Sequence, residues 1–146
     1  MSATANLYHR ILVLVDLTDN SHAVLRRANA LTSVEHIHLL HVIEFVPLEP
    51  MGETVLPTLQ IETELVERAK QKLQELAQQY GLTTEQYQVA VGSIKTEAQR
   101  TAQTLACDLI VVGNHERHGL KSLLNFTEDA VLHIAPCDVL AVHLPN

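Results

Sequence analysis

Short aliphatic runs and longer amphipathic stretches alternate along this chain, and their order predicts its fold. The aliphatic runs predict β-strands at residues 10–17, 36–45, 87–91, 108–113 and 138–144. Val, Ile and Leu fill both alternating faces of most of these runs, which is typical of strands buried on both sides in a parallel sheet. The chain is therefore expected to contain a central sheet that helices cover.

Amphipathic stretches between the strands predict the helices. The first helix begins near Asp19, Asn20 and Ser21, any of which can act as its N-cap. Further helices are expected at residues 61–80, 94–105 and 120–134. Strict alternation of strand and helix implies right-handed crossovers, a parallel sheet and helices on both of its faces. We expect one doubly wound α/β domain over residues 1–146.

The second predicted helix has the clearest pattern. Gly81 follows it in the C′ position, where glycine commonly ends a helix. Glu64 and Arg68 stand four residues apart on its solvent side, a favourable spacing for an ion pair. Its apolar stripe comprises Ile61, Leu65, Ala69, Leu73, Leu76 and Tyr80. A long irregular loop is expected before it, at Pro47, Pro50, Gly52 and Pro57.

Composition excludes several classes of protein. The chain has 146 residues, 47% of them hydrophobic, and a net charge of −7, which disfavours binding to a phosphate backbone and therefore to nucleic acid. The first ten residues lack the apolar core of a signal peptide, and no apolar stretch is long enough to span a bilayer. Cys107 and Cys137 show no C-x-x-C spacing and are expected to be buried or half-buried thiols. A cytoplasmic protein without membrane contact is expected.

The segment after the fourth strand has the form of an altered phosphate-binding turn. Ligands of open α/β sheets sit at the carboxyl ends of the strands, where Gly113 ends an aliphatic run. From Gly113 onward the chain resembles the nucleotide pattern of the universal stress protein family, G-x-x-G-x9-G-[S/T]. Gly113 and Thr127 match this pattern, whereas Glu116 and Phe126 occupy its other two glycine positions.

The resemblance to universal stress proteins covers essentially the whole chain. Its specific pieces are RILVLVDLTDNS, LLHV, the glycine after the third strand, DLIVVGNH and APCDVLAV. It implies a five-stranded sheet of order 3-2-1-4-5 with a nucleotide cleft between the first and fourth strands. In that cleft Asp16 and Val42 would contact adenine. Gly113 and Thr127 would serve the ribose and phosphates. Asn114, next to Gly113, is a further candidate contact if a nucleotide binds despite the altered turn.

Three side chains in the altered turn oppose a triphosphate. Glycine lets backbone N–H groups approach phosphate oxygens closely, whereas Glu116 adds a Cβ and a negative charge. Phe126 places a ring where the chain should pass under the ligand, and Glu128 adds a second carboxylate. Like charges about 4 Å apart repel by ~1 kcal/mol in water and by more in a partly desolvated cleft. The chain therefore resembles the UspA-like branch of the family, which lacks the glycine signature and does not bind ATP.

Other candidate residues have plainer explanations. Asp16 either contacts a ligand or partners the turn before the first helix. Thr127 either contacts a ligand or bonds back to a carbonyl within a helix. No metal site is expected, because His36 and His38 share a strand face that His41 does not, and His41 is better explained as a hydrogen-bonded core histidine. No catalytic residue is expected, since no nucleophile stands in a catalytic motif.

Three functional hypotheses follow. The first is a non-catalytic, cofactor-free universal stress protein that acts as a dimer in the stress response, with an unknown protein partner. Its dimer would form through the final strand, whose apolar run from Val139 to Leu144 lies at the sheet edge in the implied order, with Ala141 or Val142 near the centre. The second is a sensor that binds ATP or AMP despite the altered turn. The third is a hydrolase or transferase on the same fold.

Overall fold

Strands and helices alternate from end to end in the computed structural model, which describes residues 7–44, 55–115, 131 and 135–144. The strands are β1 (Ile11–Leu14), β2 (Ile37–Ile43), β3 (Tyr87–Val91), β4 (Leu109–His115) and β5 (Asp138–Leu144). The helices are α1 (Asn20–Leu31), α2 (Val55–Gln79) and α3 (Ile94–Thr104), and short 3-10 turns precede β2 and β3. Val131, within the predicted fourth helix, is helical; the rest of that helix lies outside the described residues.

The five strands form one parallel sheet in the order β3-β2-β1-β4-β5, which confirms the predicted topology. Helix α1 packs over β4 and β5, and α2 packs over β2 and β3, on one face of the sheet. Helix α3 and Val131 cover the other face. Helices therefore lie on both faces, as right-handed crossovers on either side of β1 require.

Two apolar clusters fill the space between the sheet and its helices. Strand β1 contributes side chains to both clusters, because successive side chains of a strand point to opposite faces of the sheet. Ile11 and Val13 face α1 and α2, whereas Leu12 and Leu14 face α3. All four β1 residues are buried, as the continuous aliphatic run predicted. The core is thus centred on β1 and β4, and it brings the carboxyl ends of these strands together.

Strand β4 is longer than predicted. The prediction that the strand ends at Gly113 is wrong by two residues, because β4 continues to His115. Gly113 pairs with Val142, Asn114 with His143, and His115 with Leu144. Strand β5 therefore supplies a partner along the whole extension, a long-range effect that local hydrophobicity does not reveal.

Helix α2 begins before its predicted start and ends where the prediction placed its C′ glycine. It begins at Val55, so Pro57 lies in the first turn, where proline is tolerated, and not in the predicted loop. Leu73 is buried in the C-terminal half, but Ile61 is 51% exposed and Leu65 37% exposed in the N-terminal half. Gly81 follows with a φ of 76°, which confirms the predicted C′ glycine.

Ion pairs on the helices are not those predicted. Within the described part of the chain they join Lys70 to Glu67 and Arg100 to Glu97. The expected pair between Glu64 and Arg68 is not formed. The side chain of Arg68 lies instead along a groove described below.

Asp108 ties the segment before β1 to the amino end of β4. Its carboxylate accepts hydrogen bonds from the backbone N–H groups of His9, at 2.9 Å, and Arg10, at 3.0 Å. Partial burial alone would raise the pKa of the Asp108 carboxyl, but the backbone donors outweigh it and leave the pKa lowered. This carboxylate is therefore a stabilising contact that depends on ionisation.

Candidate functional site

The loop between β1 and α1 is closed on itself by Asp16. Its Oδ1 accepts hydrogen bonds from Thr18 N at 3.0 Å, Thr18 Oγ1 at 2.7 Å and Ser21 Oγ at 3.2 Å. Asp19, at the N-cap position of α1, makes no side-chain capping bond. These contacts agree with the turn explanation of Asp16, in which the carboxylate organises the start of α1.

Leu17, the next residue, has a strained backbone. Its φ is 62°, in the left-handed region that residues other than glycine, asparagine and aspartate rarely adopt. Holding a leucine in this conformation costs about 1–2 kcal/mol. Its N–H donates to Ser21 Oγ at 3.0 Å, and its side chain packs against the core. These contacts hold the strained residue in place at the carboxyl end of β1.

The end of β2 presents His41 and Val42 to opposite faces of the sheet. Val42 is 9% exposed and packs into the cluster beneath α3. The Nδ1 of His41 lies 2.8 Å from the carbonyl oxygen of Val15, so Nδ1 must carry the proton and donate it. The hydrogen bond confirms the expectation of a satisfied histidine and leaves Nε2 as the ring nitrogen that can contact a ligand.

Gly113 is accounted for by close packing within the sheet. Its φ lies outside the left-handed region. A Cβ built on Gly113 would come within 2.5 Å of Leu144 Cδ1 and 3.4 Å of Val24 Cγ2. Leu144 is only 2% exposed and has little room to move. The absence of a side chain at Gly113 therefore leaves space for Leu144.

The predicted cleft residues are only partly described. Continuing the register of β1 with its neighbours places Asp16 beside Val42 on one side, with Gly113 beside Val15 on the other. These residues lie at one edge of the sheet, as predicted. The backbone of Asn114 belongs to β4, while its side chain lies outside the described residues. Thr127, Glu116, Phe126 and Glu128 also lie outside the described residues.

A groove of about 350 Å³, which we call the α2 groove, opens at the carboxyl ends of β1 and β2. Of the described members of the predicted cleft, Asp16 is the one that lines it. Sequence reasoning missed this groove, although the spacing of Arg68 and Lys72, one helical turn apart beside the apolar stripe of α2, was a signal for it. Its lining comprises Asp16, Leu17, Thr18, His41, Ile43, Leu65, Arg68, Ala69 and Lys72.

A smaller depression of about 160 Å³ adjoins the α2 groove between α1 and α2. It shares Leu17, Thr18 and Lys72 with the groove. Beside it, the Nδ1 of His22 in α1 lies 2.9 Å from the hydroxyl of Tyr80, the residue that follows α2. The depression therefore extends the groove next to a contact between α1 and the end of α2.

Metal and thiol chemistry find little support in the described residues. Within them, no three His, Cys, Asp or Glu side chains are placed to hold a metal ion. Burial lowers the pKa of His38, although its hydrogen bond to Gln88 opposes this shift. Cys107 is buried and Cys137 half-buried, as expected, and neither is in a disulfide. Burial raises the pKa of Cys107 to about 12 and also raises that of Cys137, so both are protonated at neutral pH.

Comparison with known proteins decides the family. The model of the Universal stress protein family matches residues 7–143. The chain belongs to the universal stress protein family. It is 35% identical over 140 residues to Universal stress protein A homolog 2 of Coxiella burnetii, covering 94% of this chain and 96% of that protein. It is 36% identical over 138 residues to homolog 1 of the same organism, covering 92% and 96%.

Solved structures share the fold. UspA from Lactobacillus plantarum superposes with a TM-score of 0.74 at 18% identity, over 94% of this chain and 99% of that one. The protein MJ0577 gives 0.74 at 23% identity, over 96% and 99%. A universal stress protein solved in complex with cAMP gives 0.54 at 22% identity, over 93% and 97%. At these identities the likeness supports the α/β fold and no more. In the described part of the chain, no helix is both long and apolar enough to cross a membrane.

Proposed function

We propose that this chain is a non-catalytic universal stress protein of the cytoplasm that acts in the stress response as a homodimer and does not bind ATP. The observation that carries the proposal is the environment of Gly113. The side chain of Leu144 occupies the space that a Cβ at this position would need, so packing alone accounts for the glycine and its presence does not imply a phosphate ligand. The other two glycine positions of the nucleotide pattern hold Glu116 and Phe126.

The contacts of Asp16 support the same proposal. In the nucleotide-binding pattern this carboxylate would contact adenine, but here its Oδ1 already accepts three intramolecular hydrogen bonds. A ligand donor would compete with bonds that also hold the start of α1. Adenine binding at Asp16 would therefore weaken the loop, in addition to the free energy needed to desolvate the ligand.

The described nucleophiles also favour a non-catalytic role. Ser21 donates to Asp16 and accepts from the N–H of Leu17, so its hydroxyl is used in the loop. Cys107 is 8% exposed with a pKa of about 12. An effective nucleophile must be both activated and accessible. The pKa of Cys107 is raised, and Ser21 is only 2% exposed, with its hydroxyl already held by the loop.

The homodimer is proposed through β5. This strand lies at the edge of the sheet, and its outer row of backbone N–H and C=O groups can pair with another strand. Val142 and Leu144 face the core, whereas Ala141 and His143 are exposed. Pairing of β5 with its own copy across a two-fold axis would satisfy the edge on both protomers.

The alternative is a nucleotide-binding sensor. Two observations favour keeping it: the α2 groove opens beside Asp16 at the carboxyl ends of the strands, and a structural relative has been solved with cAMP. On this alternative, an AMP-like ligand would bind through its base and not through the glycine turn.

Acid extraction of the purified protein separates the two. The proposal predicts no ultraviolet-absorbing nucleotide in the supernatant of acid-precipitated wild type. A Glu116→Gly, Phe126→Gly variant, confirmed to be folded, serves as the comparison because it restores both glycines. Nucleotide released from wild type in near-stoichiometric amount would reject the proposal in favour of the sensor.

A further inference from the structure

The α2 groove has the size and the chemistry of a ligand site. Pockets for small molecules usually occupy about 300–1,000 Å³ and carry mostly apolar walls with a few polar groups. At about 350 Å³ the groove lies at the lower end of this range. Its apolar lining is supplied by Leu17, Ile43, Leu65 and Ala69.

The wall formed by α2 is positively charged. Arg68 and Lys72 are one helical turn apart, so their side chains leave the same face of α2. Within the part of the chain that the structure describes, neither side chain makes an ion pair. Asp16 is the one acidic residue among the described residues that line the groove, and its Oδ1 already accepts three hydrogen bonds. The lining therefore favours an anionic group near α2.

The same wall exposes apolar surface that a folded chain would normally bury. Leu65 is 37% exposed, and Ile61, one turn earlier, is 51% exposed. Both belong to the apolar stripe of α2, and the later members of that stripe, Leu73 and Leu76, are buried. An apolar body resting on Leu65 would cover surface that the sheet does not reach.

On the opposite side of the groove, a hydrogen bond holds the ring of His41. The hydrogen bond from His41 to the Val15 carbonyl fixes the imidazole, which leaves Nε2 for contact with a ligand. Leu17 contributes its strained backbone to the same side. Non-glycine residues held at positive φ recur at ligand sites.

We propose that the α2 groove binds a small amphipathic anion. Its acidic head group lies at Arg68 and Lys72, and its apolar or aromatic body lies along Leu65. Among the described residues, this site shares Asp16 alone with the predicted nucleotide cleft, and its lining does not include Gly113. It goes beyond the proposed function and depends neither on the dimer nor on the absence of ATP.

Two fluorescent probes of similar shape test the charge. The anionic probe 8-anilinonaphthalene-1-sulfonate should bind folded wild type saturably and with one site. Its neutral analogue, N-phenyl-1-naphthylamine, should bind more weakly. Arg68→Glu with Lys72→Glu should weaken the anionic probe by about tenfold or more and leave the neutral one nearly unchanged. Arg26→Glu with Arg27→Glu, at exposed positions of α1, makes the same change of net charge and should have no effect.

A second pair of variants tests the apolar wall. Leu65→Ser should weaken both probes, whereas Leu7→Ser, at a side chain that is 75% exposed, should weaken neither. Displacement of the probe by octanoate at millimolar concentration supports the proposal. Displacement by AMP would assign the groove to the nucleotide sensor of the alternative function and would overturn the proposal. The proposal is overturned if folded wild type binds no probe saturably or binds the neutral probe as well as the anionic one. It is also overturned if the control variants lose binding equally, or if neither competitor displaces the probe at millimolar concentration. Circular dichroism of each variant excludes probe binding to unfolded chains.

Discussion

Replacing Gly113 by alanine tests why this glycine is present. The new methyl group would lie 2.5 Å from Leu144 Cδ1, far inside van der Waals contact, and Leu144 is 2% exposed. Overpacking of this kind costs about 1–3 kcal/mol. Relief of the glycine's conformational entropy in a strand offsets about 0.5–1 kcal/mol. We therefore expect Gly113→Ala to lower the free energy of unfolding by about 1–2 kcal/mol and the melting midpoint by about 3–8 °C.

A double-mutant cycle in urea identifies the contact responsible. Leu144→Val removes the clashing Cδ1 at a cost of about 1 kcal/mol, and in that background Gly113→Ala should be neutral or stabilising. The expected coupling energy is about 1–3 kcal/mol. Gly81→Ala is the matched control: a Cβ there meets no atom within 4 Å, but its φ is 76°, so its cost should not depend on residue 144. A Gly113→Ala variant as stable as wild type, or equally damaged in both backgrounds, would refute the packing explanation.

Three further expectations concern acid stability, thiol reactivity and assembly. The pKa of the Asp108 carboxyl is lower in the folded than in the unfolded protein, so its contribution to stability is complete above the unfolded-state pKa and is lost as the pH falls through the folded-state pKa. Asp108→Asn should therefore lower the free energy of unfolding in urea at pH 7, and the difference from wild type should shrink below about pH 4. Ellman's reagent should react slowly with Cys107 and Cys137 in the native protein at pH 8 and rapidly in urea, and fast native reaction would contradict their raised pKa values. Light scattering should find a wild-type dimer. Neighbouring residues of a strand direct their N–H groups to opposite strand edges, so one of the two variants Ala141→Pro and Val142→Pro should give a folded monomer. A wild-type monomer at micromolar concentration would contradict the β5 interface.

Most of the fold could be predicted because the relevant signals are local. The strands of a parallel sheet are buried on both faces, so the run at Ile11–Leu14 is recognisable without knowledge of its neighbours. The position of Gly81 likewise follows from the conformation that ends a helix. The extension of β4 to His115 could not be predicted, because it depends on pairing with β5 across the intervening segment.

The candidate site was less predictable than the fold for the same reason. The family pattern located Asp16, Val42 and Gly113 at one edge of the sheet, and their register agrees. It did not reveal that Leu144 requires Gly113 to be small, since this contact joins two strands. The α2 groove was missed because the stripe of α2 was assumed to be buried throughout, whereas Ile61 and Leu65 are exposed and Leu73 is buried.

The response of the melting midpoint to Mg·ATP tests the proposed absence of ATP binding most directly. A ligand present at 100 times its dissociation constant adds about 2.7 kcal/mol to the stability of the protein that binds it. In a chain of 146 residues this corresponds to a rise of roughly 5–10 °C. We predict that millimolar Mg·ATP leaves the midpoint of wild type within the change caused by Mg²⁺ alone. A rise of 5–10 °C over the magnesium control would contradict the account.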